Sequence, residues 1–472
     1  MSCRRAAAAS FQENVGRQGN FPYGIEIITE ADYFTLAVDK NAYMKVGLFV
    51  AQYKEYFESF VEHLSDVKLA HISEKTRLLA AGTLASLVPL NPEYFVNTVL
   101  PKLVPRVTDM NLSVRHGAVY GVSEILLGLG GMADSNIMAH SDKDSVYTQA
   151  SAVNEQRLET AGTYMTKFNL EYDQIKKINN VGLLQAKIET YQSILEVVGE
   201  IETKKMYRGK GGDSMRIAVC RFIESVSKLK FELTPEVHRY FRATIDTGIQ
   251  SAVDNVQTAA INCFEILNQH YNQEMDRESI VYLDMMIWES TKNHNFAVRR
   301  GYSRALGCWS KFYLTENCDF ILAPLTKNCI LVQQKVCEGD VEARKFAIES
   351  IVKIFCKVGT RNFNQRKFQT ILDLVLYVLD DYTSDRRGDV GSIVREAGMY
   401  GLYNIMTRIY TEELPQTAAT FLTPKNLELI IGNLLQQLVE KIDKTRLHAG
   451  SILQRIFDNF YELMPNFSNK AQ

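Results

Sequence analysis

Two short segments of this 472-residue chain combine glycine with charged residues in a way that could bind a phosphate or a cation. They are "YRGKGGDSMR", residues 207–216, and "LDDYTSDRRGDVGSIVREAG", residues 379–398. A phosphate-binding loop needs GxxxxGK[ST] between a strand and a helix, so that backbone amides and a lysine converge on the phosphate. The first segment has the wrong order and follows no strand pattern, which favours a flexible corner before a helix. The second could be a phosphate loop, a cation site or a corner between two helices.

Metal-binding and nucleophilic side chains do not stand in patterns that support catalysis. None of the eight histidines belongs to an HExxH pattern, and His63 and His71, eight residues apart, have no third ligand near them in the sequence. None of the eight cysteines forms a CxxC pair, and most lie within apolar segments, which predicts free buried thiols in a reducing cytosol. A GxSxG element is also missing. These patterns therefore support neither an enzyme active site nor a metal site, and we expect no cofactor.

Charge and hydropathy argue against two classes of partner. The formal net charge is −2 and the isoelectric point is about 6.5, without the excess of positive charge that a general nucleic-acid binder needs. The longest apolar segments, such as "ILDLVLYVL" at residues 371–379, are far shorter than the roughly 20 residues of a membrane helix, and this one includes Asp373. We expect no nucleic-acid partner, no membrane partner and a cytoplasmic location.

Apolar residues recur at helical spacing along almost the whole chain, so helices must position any functional side chains. In "NLELIIGNLLQQLVEKI" they follow the three-and-four rhythm of an amphipathic helix, at Leu427, Ile430, Ile431, Leu434, Leu435, Leu438 and Ile442. Convincing segments with strand-like alternation are absent from the sequence. The sequence therefore predicts an all-α fold.

One local pattern recurs, in which a turn is followed by a basic residue, then small residues, then an apolar helix. Clear copies occur at Arg77, Arg115, Arg216, Arg300, Arg344, Arg395 and Arg446, and degenerate copies at Lys45 and Gln257. From position 216 onward the spacing rises from 41 to 51 residues, close to the ~40–47 residues of HEAT or armadillo units. A single helix pair cannot bury its apolar face alone, so such pairs stack. The pattern predicts a HEAT/armadillo-type helical-repeat solenoid, wound as a superhelix.

Two copies share a longer pattern, in which an aspartate is followed after four residues by valine and arginine. They are Asp109 with Arg115 and Asp389 with Arg395. Each aspartate is predicted to cap the second helix of its repeat by accepting hydrogen bonds from the first free amides. Each arginine is predicted to reach an aspartate of the adjacent repeat and so form a ladder. We expect a structural role for all four residues.

The repeat pattern is interrupted once, which divides the chain into three predicted parts. Residues 1–131 are predicted to form N-terminal helical repeats, and residues 181–472 C-terminal helical repeats. Between them, residues 132–180 are polar and lack sustained apolar periodicity, which predicts a long insertion or loop.

Two clusters of basic residues interspersed with acids are candidates for partner binding. One holds Arg386 and Arg387 among several aspartates, and the other holds Lys441, Lys444 and Arg446 beside Glu440 and Asp443. A surface of mixed sign suits a protein partner more than a polyanion, which would need runs of like charge. The alternative is a solvated corner held by local ion pairs, each worth roughly 0–1 kcal/mol.

Several long segments, in order, resemble one protein family. They are "RRAAAASFQENVGRQGNFPYGIEIITEADYF", "LSVRHGAVYGVSEIL", "YRGKGGDSMR", "LDDYTSDRRGDVGSIVREAG" and "EKIDKTRLHAGSILQRIF". They resemble the tubulin-folding cofactor D family, also called tubulin-specific chaperone D, from near residue 3 to about residue 460. The family chain is more than twice as long, so the resemblance implies a partial chain that covers the central and part of the C-terminal region.

This resemblance implies a function as well as a fold. Family members are helical-repeat scaffolds that capture β-tubulin, bring it together with α-tubulin held by cofactor E, and release the heterodimer when cofactor C joins and tubulin hydrolyses GTP. The assembly thus acts as a GTPase activator for tubulin, and an Arf-like small GTPase is a further partner. The implied location is cytoplasmic and associated with the cytoskeleton.

Two other interpretations remain open from the sequence. A generic HEAT-repeat scaffold or adaptor for another protein partner would show the same repeats. An enzyme hidden in a helical fold would have to use the glycine-rich corners, and nucleotide retained by the isolated chain would favour it.

Overall fold

The computed structural model describes residues 2–19, 21–31, 35–133, 172–271, 276–330, 340–412 and 415–460. These residues are almost entirely helical, which confirms the predicted all-α class. The chain forms two compact units, Met1–Thr244 and Ile245–Gln472. The three-part division predicted from the sequence stays a prediction, and most of the predicted insertion, residues 134–171, lies outside the described residues.

The first unit is built from helices of very different lengths. In chain order they are α1 (Ser2–Gln18), α2 (Gly24–Glu30), α3 (Asp39–Asn41), α4 (Gly47–Ala51), α5 (Lys54–Glu62), α6 (Glu74–Leu87), α7 (Pro92–Tyr94), α8 (Leu100–Leu103), α9 (Leu112–Leu129), α10 (Val181–Gln185), α11 (Ile188–Thr203), α12 (Gly212–Lys228) and α13 (Pro235–Ile249), the last of which continues into the second unit. Shorter π-helical or 3-10 segments extend several of them, at Thr35–Ala37, Ala42–Val46, His63–Lys68, Val88–Leu90, Phe95–Val99 and Val104–Thr108.

The second unit continues the same succession of helices. They are α14 (Asp254–Tyr271), α15 (Arg277–Lys292), α16 (Phe296–Leu306), α17 (Lys311–Glu316), α18 (Cys318–Cys329), α19 (Val341–Val358), α20 (Gln365–Tyr377), α21 (Ser392–Glu412), α22 (Pro415–Phe421), α23 (Pro424–Leu438) and α24 (Asp443–Phe460). Two 3-10 segments, Thr360–Asn362 and Val378–Asp380, follow α19 and α20. Strands β1 (Ser384–Asp385) and β2 (Gly388–Asp389) pair antiparallel, with Ser384 opposite Asp389.

The helices that begin at the recurring sequence pattern pack on one another as the repeat prediction requires. We call α6, α9, α12, α14, α16, α19, α21 and α24 the second helices. In the first unit α6 packs on α9 and α9 on α12, and in the second unit α14, α16, α19, α21 and α24 pack in succession. Each unit is therefore a stack of helical repeats, which confirms the predicted fold class.

The recurring position falls on the fourth residue of these helices. The fourth-position residues are Arg77, Arg115, Met215, Gln257, Arg299, Arg344, Arg395 and Arg446. Two registers predicted from the sequence need correction by one residue. In α16 the fourth-position residue is Arg299, which is fully buried, rather than the half-buried Arg300. In α12 it is the buried Met215 rather than Arg216. Local sequence could not separate adjacent arginines, because only packing decides which one faces the neighbouring repeat.

Close packing of the second helices depends on small residues. Every residue of α9 from Arg115 to Leu129 is buried, as expected for a helix covered on all sides. A Cβ atom at Gly117 would lie 1.8 Å from the carbonyl oxygen of Leu69, so no side chain fits there. The alanines that follow the fourth position, Ala80, Ala81, Ala118 and Ala347, are at most 1% exposed. Small residues thus allow the backbone contact on which the stack relies.

The last part of the predicted insertion contributes a buried side chain to the first unit. Tyr172 is buried, and its hydroxyl donates a 2.5 Å hydrogen bond to the carbonyl oxygen of Ser86.

Among the described residues, no helix is both long and apolar enough to cross a membrane.

Candidate protein-binding surface

Several fourth-position arginines hold the turn that precedes their own helix. Arg77 donates from Nη1 to the carbonyl oxygens of His71 at 2.9 Å and Ile72 at 3.0 Å. Arg115 and Arg446 make the same pair of contacts to carbonyls six and five residues earlier. Carbonyls in such turns have no partner within a helix, and leaving them unpaired in the interior is costly. The arginine at each turn therefore fixes the path of the chain between two helices.

Gln257 shows that the degenerate copy of the pattern performs the same task with an amide. Its Nε2 donates to the carbonyl oxygens of Ile249 at 2.9 Å and Ser251 at 3.1 Å. The same atom lies 2.9 Å from the carbonyl oxygen of Ala297, which belongs to the next second helix. A neutral amide costs less to bury than a guanidinium, and here it joins two repeats.

Arg344 and Arg299 connect consecutive repeats through aspartate. Arg344 donates to Asp381 from Nε at 2.8 Å and from Nη2 at 3.3 Å, and both side chains are buried. Arg299 places Nη2 3.5 Å from the carboxylate of Asp340, in the turn before α19. Contacts of this kind, from an arginine to an aspartate of the adjacent repeat, were predicted for Arg115 and Arg395. In the structure Arg344 and Arg299 make them.

The two residue pairs that carry the longer pattern differ from each other. Asp389 accepts from the backbone N–H of Ser392 at 3.2 Å, the bond expected of a cap, and also pairs with Arg395 at 2.8 Å. Arg395 reaches the next repeat at Gln437, 3.2 Å away, rather than at an aspartate.

Asp109 does not cap α9. Asn111 is the capping residue and accepts from the backbone N–H of Ser113 at 2.9 Å, while Asp109 accepts from the N–H of Asn111 at 2.7 Å. The capping position lies two residues later than the pattern predicts, so the side chain of Asn111 rather than that of Asp109 reaches the free amide.

The segment 379–398 is a corner, one of the three possibilities that the sequence left open. β1 and β2 form a hairpin whose turn is Arg386 and Arg387, directly before Gly388 at the start of β2. Gly388 has a φ of +105°, a conformation that residues with a side chain resist. The hairpin replaces the simple loop expected between the helices, because Arg344 and Arg395 hold its base at Asp381.

At the tip of the hairpin, the two predicted partner-binding arginines have different surroundings. Arg387 is 62% exposed and pairs with Asp385 at 2.7 Å and with Glu342 of α19 at 3.3 Å. Within the part of the chain that the structure describes, no carboxylate lies within ion-pair distance of the exposed Arg386. Partner binding by either residue stays a prediction.

The second predicted cluster, around residues 441–446, is divided in the same way. Arg446 holds the turn before α24 and also pairs with Asp443, so its guanidinium is largely engaged within the chain. Lys441 is exposed, and Lys444 is 75% exposed with its Nζ 2.8 Å from Glu396 of α21. Of this cluster, only Lys444 faces the groove described next.

A groove of about 850 Å³ runs along three second helices of the second unit, α19, α21 and α24. We call it the second-unit groove. Its walls carry both signs of charge and two aromatic rings, from Lys345, Glu349, Glu396, Tyr400, Lys444 and His448. Tyr400 is 42% exposed and contacts His448 with tilted rings, whose centroids are 4.9 Å apart. The groove thus offers an exposed tyrosine, a residue type enriched at protein interfaces, among hydrogen-bonding and charged groups.

Partial burial in the groove shifts the pKa values of several of its titratable side chains. Desolvation raises the pKa of Glu349 above its usual value, although Lys345 beside it opposes that shift. Burial lowers the pKa of His448 and raises the pKa of the Cys356 thiol to about 11. His448 and Cys356 are therefore uncharged near neutral pH, and Cys356 is not set up as a nucleophile.

Most of the groove residues escaped prediction from the sequence, although a signal for them exists. In α19 the fifth, ninth and thirteenth residues, Lys345, Glu349 and Lys353, line the groove, and the corresponding positions of α21 are Glu396, Tyr400 and Asn404. Residues four apart share one face of a helix. A polar stripe that starts directly after the fourth-position arginine would have marked this face.

Comparison with known proteins agrees with the repeat architecture. Residues 1–25 match a family model described as "Tubulin-specific chaperone D-like, ARM repeats", and residues 428–472 match one described as "Tubulin folding cofactor D C terminal". Tubulin-specific chaperone D of Dictyostelium discoideum is 25% identical in an alignment that covers 97% of this chain and 34% of that protein. The chain therefore spans about a third of the length of this curated relative.

Two solved structures were compared as well. An engineered protein is 14% identical with a TM-score of 0.28, over 92% of this chain and 97% of the other. A structure from work on a phosphorylation switch between cadherin and beta-catenin is 12% identical with a TM-score of 0.21, over 93% of this chain and 99% of the other. Neither TM-score is high enough to support an argument. The relative that aligns with nearly the whole chain and the two family models that match its ends agree with the resemblance of this chain to the tubulin-specific chaperone D family.

Proposed function

We propose that this chain is a non-enzymatic, tubulin-binding cofactor that takes part in the assembly of the αβ-tubulin heterodimer. The similarity of the chain to tubulin-specific chaperone D supports tubulin as the partner. The structural observation that supports protein binding is the second-unit groove, which three consecutive repeats line with a polar stripe. We propose that β-tubulin is the subunit bound, and that the groove is the surface that contacts it.

The composition of the groove suits a protein surface better than a small metabolite. Small-molecule sites are mostly enclosed and apolar with a few fixed polar groups, whereas this groove is open and lined by several charged side chains. Lys353, the last residue of the stripe on α19, is held by Glu265 of α14 at 2.5 Å, so it belongs to the scaffold. Lys345 and Lys444 are the lysines best placed to meet carboxylates of a partner.

The remaining steps of the cycle are part of the same proposal. The chain would act with cofactors C and E, and the assembly would stimulate GTP hydrolysis by tubulin rather than hydrolyse GTP itself. An Arf-like small GTPase is proposed as a further partner, and the cytoplasm, in association with the cytoskeleton, as the location. The chain corresponds to about a third of the length of its relative. Tubulin contact is therefore the main part of the proposal, and the complete cycle is a secondary part.

The test is co-migration of the full chain with αβ-tubulin and GTP on size exclusion, compared with a groove variant. Lys345→Glu with Lys444→Glu reverses the charges of one half-buried and one exposed lysine on the groove. Lys311→Glu with Lys327→Glu makes the same charge change at exposed positions of α17 and α18, away from the groove. We expect the wild-type chain and the control to co-migrate with tubulin and the groove variant to lose about tenfold in affinity, as for like charges placed across an interface.

Three outcomes would contradict the proposal in different ways. Absence of co-migration for the wild-type chain would favour a generic HEAT-repeat scaffold with another partner. Equal loss in the groove variant and the control would leave tubulin binding but remove the groove as its site. Nucleotide retained by the isolated chain without tubulin would favour an enzyme.

A further inference from the structure

A separate basic pocket lies in the first unit, between the turn before α9 and the turn after α11. Its volume is about 460 Å³, and four of its lining residues are basic: Arg115, Lys204, Lys205 and Arg208. Among the described residues no acidic side chain lines it. We call it the first-unit basic pocket.

The fourth-position residue in this pocket differs from three of its counterparts. In those three repeats the next repeat supplies an acceptor to the Nε atom of the guanidinium. Arg77 donates from Nε to His116 at 3.1 Å, Arg344 to Asp381 at 2.8 Å and Arg395 to Gln437 at 3.2 Å. The following repeat therefore provides one hydrogen-bond acceptor in these three cases, whereas the buried Nε atom of Arg299 has none within the described part of the chain.

At Arg115, the turn after α11 provides basic side chains instead of an acceptor. The Nη1 atom is occupied by the Met110 carbonyl at 2.8 Å, but the buried Nε atom has no acceptor within the described part of the chain. Arg115 is only 8% exposed, and this burial lowers the pKa of its guanidinium. Lys205 and Arg208 are exposed at the same pocket. An anion placed among these groups would fill the position that an aspartate or an amide fills in other repeats.

Two further features favour a negatively charged ligand with apolar neighbours. The pocket adjoins the N-terminus of α9, an 18-residue helix whose dipole adds partial positive charge there. Met110, 88% exposed, and Met206 lie at its edge. Methionine adapts to varied partner side chains, and it is frequent on surfaces that bind peptides. Lys204 is already paired with Glu200 at 2.7 Å, so Lys205 and Arg208 carry the charge available to a ligand.

We propose that the first-unit basic pocket binds a carboxylate side chain of an acidic segment in a protein partner, with an adjacent apolar side chain against the methionines. The carboxylate accepts from the guanidinium of Arg115 and lies between Lys205 and Arg208. This inference concerns a different surface from the second-unit groove and does not depend on tubulin being the partner.

The test uses the full chain and a fluorescein-labelled glutamate-rich peptide with leucine at both ends, followed by fluorescence anisotropy. The pocket variant is Lys205→Asp with Arg208→Glu. Aspartate is chosen at position 205 because Lys205 has a φ of +55°, a conformation that aspartate tolerates better than most residues. The control variant is Lys75→Glu with Lys187→Glu, which changes the charge equally at exposed positions of the same unit outside the pocket.

We expect the wild-type chain and the control to bind the peptide equally, and the pocket variant to bind about tenfold more weakly, because two attractive charge pairs become repulsive. Circular dichroism should show unchanged helicity in both variants. Failure of the wild-type chain to bind, equal binding of a lysine-rich peptide, or equal weakening in the control would each overturn the proposal. Displacement of the peptide by inorganic phosphate, but not by sodium chloride of equal ionic strength, would overturn it in favour of a small-anion site.

Discussion

Arg344 and Asp381 form a bidentate ion pair inside the second unit, with Nε–Oδ2 and Nη2–Oδ1 distances of 2.8 and 3.3 Å. They lie 37 residues apart in the chain and belong to consecutive repeats. Both side chains are almost inaccessible, at 2% and 4% exposure. The pair also fixes the base of the hairpin, because Arg344 Nη2 donates to Thr383 at 2.9 Å. One buried contact thus sets both the spacing of two repeats and the position of an exposed corner.

We expect Asp381→Ala to destabilise the chain by about 3–5 kcal/mol, because it leaves a buried guanidinium without its carboxylate. Urea unfolding followed by circular dichroism would measure this loss. Asp385→Ala removes a carboxylate from the exposed tip of the same hairpin, and we expect it to change stability by no more than ~1 kcal/mol. Equal losses in the two variants would show that the Arg344–Asp381 pair is not buried in solution.

Arg446 and Arg387 are expected to differ although both were predicted from the sequence to bind a partner. Arg446→Ala removes hydrogen bonds to the carbonyls of Glu440 and Lys441, and we expect it to cost about 1.5–3 kcal/mol. Arg387→Ala removes only exposed ion pairs, so we expect a loss of no more than ~1 kcal/mol. Thermal unfolding of both variants would test this order, and the reverse order would contradict the assignment of Arg446 to the turn.

His116 makes the first unit sensitive to acid. Its Nδ1 accepts from Arg77 and its Nε2 lies 3.7 Å from Glu74, while burial lowers its pKa below the ordinary value of 6.5. The unfolded chain therefore binds this proton at a higher pH than the folded chain. Stability should fall as the pH drops below about 6.5, with a slope of at most ~1.4 kcal/mol per pH unit from this group.

To test this, the melting temperatures of the wild-type chain and a His116→Asn variant would be measured between pH 7.5 and pH 5. This pH range spans the ordinary titration of histidine. Asparagine keeps an acceptor near the position of Nδ1 but does not titrate. We expect a shallower decline in the variant, and identical slopes would show that other groups account for the acid sensitivity.

Gly117 should tolerate no side chain. A Cβ atom there would lie 1.8 Å from a backbone oxygen of Leu69, so Gly117→Ala must push two helices apart, at a cost of about 1–3 kcal/mol or more. Gly432→Ala is the matched control, because nothing lies within 4 Å of that position and alanine favours a helix by roughly 0.5–1 kcal/mol. Chemical denaturation should therefore show opposite signs for the two substitutions.

The sequence by itself determined the class and the period of this fold. Apolar residues at helical spacing, small residues after a basic one, and the recurrence of that pattern from Arg77 to Arg446 are local features, and local features fix where helices begin and which face they bury. The same is true of Gly388, whose turn needs no distant contact to explain it.

Tertiary structure decided the role of each polar side chain. Sequence alone could not show that Gln257 takes the place of an arginine, that Arg299 rather than Arg300 is the buried member of its pair, or that Asn111 rather than Asp109 caps α9. Each of these depends on which atoms of the next repeat come within about 3 Å, a distance that the packing of helices sets and that sequence spacing does not.

The same reason explains the two surfaces proposed for binding. Lys345 and Lys444 lie 99 positions apart in the sequence yet share one groove, and Arg115 meets Lys205 only because α11 and α12 follow α9 in the stack. Side chains so far apart in sequence become neighbours because repeats stack, and the stacking is driven by burial of their apolar faces. The sequence gives the charge of each exposed side chain, but only the folded chain determines which of these charges lie next to each other.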